Sequence, residues 1–315
     1  MKIESIVMDA RQNKASDVHI SEGLPLCFRI DGKLKKIETQ LSVEEVKSLI
    51  LSMLTETQRE KLEKGRDVDF AFTTPDGHRQ RVNVFSQQGK LAATIRLLNN
   101  YIPELSELGL PKILEKLAQE PRGLILVTGP TGSGKSTTLA SMIEMLNCTK
   151  DDHIITIEDP IEYVYASKRA LIHQREVGKD VENFAAALRS SLREDPDIIL
   201  VGEMRDYETV STALMAAETG HLVMATLHTT GAAQTIDRII DACPPESQNQ
   251  VRVQLAGVLK GVITQCLIPH ASGSGRVVAT EVLVGTDAVL NMIREGKCHQ
   301  LNSIMQSSAA TGMHT

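Results

Sequence analysis

Three sets of residues in this 315-residue chain have the types and spacing to handle nucleotide phosphate. The first is Gly129-Pro130-Thr131-Gly132-Ser133-Gly134-Lys135-Ser136, which fits G-x-x-x-x-G-K-[ST], the Walker A phosphate-binding loop. Its glycines let backbone N–H groups converge on phosphate oxygens, and a helix beginning there adds partial positive charge. Lys135 would reach the β- and γ-phosphates, the Ser136 hydroxyl would sit on Mg²⁺, and Thr137 follows in the first helical turn. The second set is acidic. Glu158-Asp159-Pro160-Ile161-Glu162 and Gly202-Glu203-Met204-Arg205-Asp206 each follow a short apolar run. Carboxylates just past the C-terminal ends of parallel strands lie where open α/β sheets bind ligands. The Glu203 stretch resembles a Walker B element, although its acid stands one glycine beyond the strand. The third set is the pair His221 and His228 near the ends of residues 221–230; a lone histidine by a strand is ordinarily structural, and His228 is the stronger candidate because it shares the strand-end position of Glu158 and Glu203.

These groups need a parallel sheet to bring them together, and the flanking sequence predicts one. Residues 123–128 are an apolar, β-branched run that reads as a buried strand. Residues 137–146 carry Leu139, Met142, Ile143 and Leu146 at helical spacing. Residues 154–157 and 198–201 read as further strands, and 182–192 and 207–218 as helices, the second with Val210, Leu214 and Ala217 on one face. Residues 221–230 read as a strand. Residues 237–241 are a helix stopped by Cys243-Pro244-Pro245, and 247–264 a helix running into Cys266-Leu267-Ile268. Gly273-Ser274-Gly275 is a tight turn into 276–284, and 286–295 is the last helix. Strand–helix alternation with acidic strand ends around a phosphate loop is a parallel-sheet nucleotidase. A GTPase, a kinase and a nucleic-acid motor stay open at this point, though no N-K-x-D-like guanine reader follows any strand.

Residues 1 to about 100 alternate helix and strand without a glycine loop. Residues 3–13 are an amphipathic helix with Ile3, Ile6, Val7 and Ala10 on one face. Residues 17–20, 26–30 and 34–37 are strands, the last two joined by an Asp31-Gly32 hairpin turn. Ser42 with Glu45 is a capping box for a helix over 43–54, and a second helix covers 56–63. Residues 67–73, 78–86 and 91–97 are strands separated by Pro75-Asp76-Gly77 and Gln88-Gly89. Arg79, Arg81 and Arg96 fall on the last two strands. They are either a solvated basic face or guanidiniums for a phosphate tail, to which Arg is well matched. Ala15-Ser16-Asp17-Val18-His19 reads locally as a helix stop and a turn, with no chemistry assigned. Asn99-Asn100-Tyr101-Ile102-Pro103 breaks the pattern, and 104–111 is the linker to a helix at 112–119.

Composition sets outer bounds. The length suits two domains, and 42% hydrophobic residues can fill their cores. A net charge of −6, aromatics at 3% and no Trp argue against a dedicated nucleic-acid binder. No apolar run approaches a membrane span, and residues 1–11 lack a signal-peptide core. Cys27, Cys148, Cys243, Cys266 and Cys298 form no C-x-x-C pair, and read as reduced thiols.

At these residues the chain resembles the secretion ATPase superfamily, the GspE/PulE/VirB11-like motors of type II and type IV secretion and of type IV pili. The stretch from Glu158 to Glu162 is similar to its Asp box, Arg193 through Asp206 to its Walker B region, and Thr219 through Thr229 to its His box. With the phosphate loop, four motifs occur in the family's order. Ala15 to His19, Arg81-Val82-Asn83 and Ile293-Arg294-Glu295-Gly296-Lys297 look like signatures of the PilT-type retraction subfamily. The four-cysteine zinc module of the assembly and export ATPases is absent. The chain stops at Gly312-Met313-His314-Thr315, where retraction ATPases usually continue for several helical turns.

The resemblance implies an α/β protein with an N-terminal PAS-like α+β domain (1–100), a linker (101–111) and a RecA-like ATPase domain (112–315). It implies a homohexamer using ATP and Mg²⁺ to drive pilus retraction and twitching motility. Such a motor is cytoplasmic, peripheral at the inner membrane, and works on a platform protein there. It implies that Lys135 and Ser136 hold phosphates and Mg²⁺, that Glu203 orients the attacking water, and that Glu158 helps place water or metal. His228 would sense the γ-phosphate, and Arg81 and Arg96 would clamp the phosphates. A type II or type IV secretion ATPase and a non-hydrolysing regulatory ring are the alternatives.

Overall fold

The computed structural model describes residues 2–39, 41–75, 77–98, 101–272 and 275–315. The expected turns at Pro75-Asp76-Gly77 and Gly273-Ser274-Gly275 and the break at Asn99-Asn100 lie partly or wholly outside them. The chain divides into two compact units, Met1–Tyr101 and Ile102–Thr315.

The first unit is a six-stranded antiparallel sheet covered on one face by helices. Its elements are α1 (Ile3–Gln12), β1 (Asp17–Ser21), β2 (Cys27–Ile30), β3 (Lys33–Lys36), α2 (Val43–Ser52), α3 (Glu56–Glu63), β4 (Val68–Thr73), β5 (Arg79–Gln87) and β6 (Lys90–Leu97). The strand order is β3-β2-β1-β6-β5-β4. Local chemistry explains the boundaries. Asp31 and Gly32 both take positive φ, as the tight β2–β3 hairpin requires. Ser42 and Glu45 satisfy each other's backbone N–H at the start of α2, and Thr55 and Gln58 repeat this at α3. Val18, Ile20, Phe28, Val82, Val84, Ala93 and Ile95 alternate inward from the strands onto Ile3, Ile6, Val7, Val46 and Ile50 of the helices.

The second unit places a seven-stranded sheet between two helical layers. It comprises α4 (Ile113–Ala118), β7 (Gly123–Thr128), α5 (Lys135–Thr149), β8 (His153–Glu158), β9 (Leu171–Glu176), α6 (Phe184–Ser191), β10 (Ile198–Val201), α7 (Tyr207–Glu218), β11 (Leu222–Leu227), α8 (Ala232–Asp241), α9 (Gln248–Val258), β12 (Leu259–Pro269), β13 (Arg276–Val284), α10 (Asp287–Arg294) and α11 (Leu301–Ser307). The order is β13-β12-β7-β11-β10-β8-β9, with all neighbours parallel except β12 and β13. Successive strand residues alternate between the layers. Leu124, Leu126, Ile155, Ile199 and Val223 pack with α6 to α10, while Ile125, Val127, Ile154, Leu200 and Met224 pack with α4 and α5. Burial on both faces is why these strands read as unbroken apolar runs.

Three expectations are corrected. The helix expected over 247–264 ends at Val258, and Leu259–Pro269 is strand β12. Its Val262 and Ile263 are fully buried on opposite faces of the sheet, so no alternation marked it as a strand. Leu171–Glu176 is an edge strand where none was expected. The helix at 286–295 is not the last, since α11 follows and His314 bridges back to Val282 of β13.

Candidate nucleotide site

Strand β7 ends at Thr128, the glycine loop crosses residues 129–134, and α5 begins at Lys135. Two glycines are demanded by backbone geometry. Gly129 has φ +139°, and a Cβ there would lie 2.1 Å from the Gln265 carbonyl oxygen. Gly134 takes the left-handed conformation at φ 91° as the residue before α5, and no side chain caps that helix. The first-turn N–H groups of α5 are thus left for a ligand. Ser136 is exposed on this turn and Thr137 is half-buried.

Lys135 is 9% exposed and donates from Nζ to the carbonyls of Gly129 (2.8 Å) and Pro130 (3.1 Å). Burial lowers its pKa, while the Glu203 and Glu162 carboxylates oppose that shift. Its Nζ also lies 3.4 Å from His228 Nδ1. His228 Nε2 in turn is 3.1 Å from Glu203 Oε1, and Arg205 Nη2 donates to Glu203 Oε2 at 2.7 Å. The phosphate-loop lysine is therefore joined through one imidazole to a carboxylate held from both sides. Burial pushes the Glu203 pKa up, but Arg205 and His228 outweigh it and hold the carboxyl below its ordinary range. Glu203 and His228 open on a cleft of about 380 Å³ lined also by Arg205 and Arg238.

Glu158 ends β8 beside Gly202, which follows the neighbouring strand β10. Its Oε1 accepts from Thr156 Oγ1 at 2.7 Å and from Gln174 Nε2 at 3.2 Å. Desolvation dominates these bonds and raises its pKa to about 7. The two strand-end carboxylates thus differ sharply, Glu203 firmly ionised and Glu158 poised near neutrality.

Strand polarity separates the two histidines. Leu227 is in register with Thr128 at the phosphate-loop end of the sheet, and Leu222 with Gly123 at the opposite end. His228 is accordingly in the site. His221 is at the far end, where its Nδ1 bonds the Ala216 carbonyl at the close of α7. Arg81 and Arg96 belong to the first unit, directly opposite one another on β5 and β6. Arg96 Nε donates to Asp17 Oδ1 at 3.0 Å, and Arg81 Nε is 4.0 Å from Asp69. Asp17, from the Ala15-to-His19 stretch, is 6% exposed between Arg96 and Arg29.

Four residues of the site escaped sequence reasoning. Glu162 acts electrostatically on both Lys135 and Glu158. Tyr163 OH bonds Thr137 Oγ1 at 2.9 Å. Gln174 holds Glu158 together with the Tyr163 carbonyl and the Tyr165 amide. Arg205 holds Glu203. Glu162 and Arg205 lay within recognised motifs and could have been found by asking what neutralises each acid. Gln174, on an unrecognised edge strand, gave no signal.

Comparison with known proteins concerns the chain as a whole. The family model for type II/IV secretion system proteins matches residues 1–312. The type IV pilus retraction ATPase PilT of Pseudomonas aeruginosa is 48% identical over 316 residues, covering 100% of this chain and 92% of its own. A crystal structure of the pilus retraction motor PilT with bound ADP superposes with a TM-score of 0.92 at 52% identity, covering 98% of this chain and 90% of that one. The Legionella pneumophila ATPase DotB superposes at 0.84 with 32% identity, over 100% of this chain and 90% of its own.

Proposed function

The chain belongs to the type II/IV secretion system protein family, and we propose that it is an ATP-hydrolysing motor that drives type IV pilus retraction. ATP hydrolysis and pilus retraction follow from its 48–52% identity to retraction ATPases, one of them with bound ADP. The secretion alternative is weaker, since identity falls to 31–38% for type II secretion system proteins. A non-hydrolysing ring has no use for a held, ionised Glu203 beside the phosphate loop.

The observation that carries the mechanism is the connected set Lys135–His228–Glu203–Arg205. Lys135 is held by loop carbonyls, and the proposal is that it exchanges them for β- and γ-phosphate oxygens when nucleotide enters. The free N–H groups of α5 and the glycine loop take the remaining phosphate charge. Glu203 orients the attacking water, a role that needs an anion and fits its depressed pKa. His228 touches both lysine and carboxylate, so a change at the γ-phosphate is felt by Glu203 through one side chain. Arg81 and Arg96 are assigned to phosphate contact, in exchange for Asp69 and Asp17.

The donor set near the phosphate loop is a hydroxyl and carboxylates, which suits a hard oxygen-seeking cation. Ser136 and Glu158 would hold Mg²⁺, which would supply charge neutralisation on the phosphates. No group of three metal-ligating side chains occurs among the described residues. We further assign a PAS-like fold to the first unit and a RecA-like fold to the second. A ring of six copies, and an inner-membrane platform protein as the load, complete the proposal.

The test is Glu203→Gln. This variant keeps the shape and the Arg205-facing oxygen but cannot act as an anion. It should bind ATP within a few-fold of the parent protein and lose turnover by about 10² or more. It should also fail to support twitching in cells. Unchanged turnover would remove Glu203 from the mechanism.

A further inference from the structure

Gln265 is 2% exposed, sits on β12 and was assigned nothing by motif. One end of its side-chain amide is spent on the phosphate loop and the other on the helix that follows it. Nε2 donates to the Ser133 carbonyl at 2.8 Å, and Oε1 accepts from Thr138 Oγ1, in the first turn of α5, at 2.9 Å. Its backbone carbonyl is the group that forbids a side chain at Gly129. One residue earlier, Thr264 Oγ1 meets Thr128 Oγ1 at 2.8 Å, tying β12 to the last residue of β7.

In a trans peptide the carbonyl and the following N–H lie in one plane and point in opposite directions within it. Holding the Ser133 oxygen toward β12 therefore turns the Gly134 N–H away from β12. Amides of this loop work only when aimed at phosphate, and Gly134 can rotate freely because it lacks a Cβ. We propose that Gln265 is a positioning residue for nucleotide binding, fixing the Ser133–Gly134 peptide and the start of α5 before the phosphate arrives. The proposal rests on the nucleotide-site reading above.

The experiment compares Gln265→Met, Gln265→Glu and Thr138→Val in the full chain, with Lys135→Ala as a control. Steady-state MgATP kinetics, titration with a fluorescent ADP analogue and thermal unfolding are read for each. Gln265→Met should raise KM and the ADP dissociation constant about tenfold while changing kcat much less. Thr138→Val, which frees the other end of the amide, should shift KM in the same direction by a smaller factor. Gln265→Glu supplies a pH signature. Its ionised carboxylate repels the Ser133 oxygen, whereas its neutral form donates to it as Gln does. The KM ratio of this variant to the parent should therefore fall as pH is lowered from 8 to 6.

A KM within about twofold of the parent in Gln265→Met, with only the thermal midpoint lowered, would overturn the proposal and leave Gln265 a packing residue. A flat pH ratio in Gln265→Glu would overturn it as well. If Gln265→Met does not fold, the Gln265→Glu profile and Thr138→Val decide. Lys135→Ala separates the two readings. Retained ADP binding there would sink the nucleotide site itself, whatever the Gln265 variants do.

Discussion

Two glutamates at adjacent strand ends of this site are tuned in opposite directions. Glu203 is held as an anion by Arg205 and His228, and Glu158 is pushed to about 7 by desolvation. Divergent pKa values in one site mark different tasks. The shift at Glu158 also carries a stability cost of known sign. Its folded pKa lies above the ordinary 4.5, so its contribution is fully present below 4.5 and is lost as pH rises to about 7. Above pH 7 the loss should level off at ~3 kcal/mol. Glu158→Gln removes the charge and keeps an oxygen for Thr156 and Gln174, which both bond the same atom, Oε1. Nucleotide-free Glu158→Gln should therefore be more stable than the parent at pH 8, with the gap shrinking to under ~1 kcal/mol by pH 5. Parallel pH profiles of the thermal midpoints would show that Glu158 ionises like an exposed carboxylate. At this scale motif membership was only a partial guide, since Glu162 and Arg205 lay in recognised motifs and were passed over. Lys135, Glu203 and His228 meet as their spacing suggests, whereas the partners that tune them required coordinates.

Elements were legible where their periodicity was single. The capping box at Ser42 and the Asp31-Gly32 hairpin are local signals, and the structure uses both. Strand β12 was misread because burial on both faces erases alternation, and Val251, Leu255, Val258 and Val262 mimic a helical stripe. Strand β9 was missed because Leu171-Ile172-His173-Gln174-Arg175-Glu176 is a polar edge whose register is set only by pairing with β8. Both omissions matter for function, since β12 carries Gln265 and β9 carries Gln174. The loop between β7 and α5 also depends on β12 for its shape. Gly129→Ala would force a Cβ to 2.1 Å from a β12 carbonyl and 2.7 Å from Ser133 Oγ, at a φ that L residues avoid. No rotamer relieves a backbone clash. The loop should open, lowering stability by at least ~2 kcal/mol and abolishing ADP binding. Calorimetric titration with ADP checks this, and parental affinity in the variant would mean that the loop is far more pliant than its packing implies.

The single chain buries Lys135 and most of Glu203 but leaves the rim of the site open to solvent. The Arg205 side chain is 69% exposed, that of His228 is 46% exposed, and Ser136 is exposed at the helix start. Charge stabilisation in phosphoryl transfer is strong only where water is excluded and the donors are fixed. An open rim of this kind calls for a cover, and the proposed ring supplies one in the next copy of the chain. Turnover should then be a property of the assembly. Specific MgATP hydrolysis should rise with protein concentration over the same range in which light scattering shows the mass climbing toward six chains. Mixing in Lys135→Ala chains should depress activity more steeply than their mole fraction, because each inactive copy also borders an active site. A chain that scatters as a monomer while hydrolysing at full specific activity would rule out the ring. It would also require that the water-excluding cover come from within one chain.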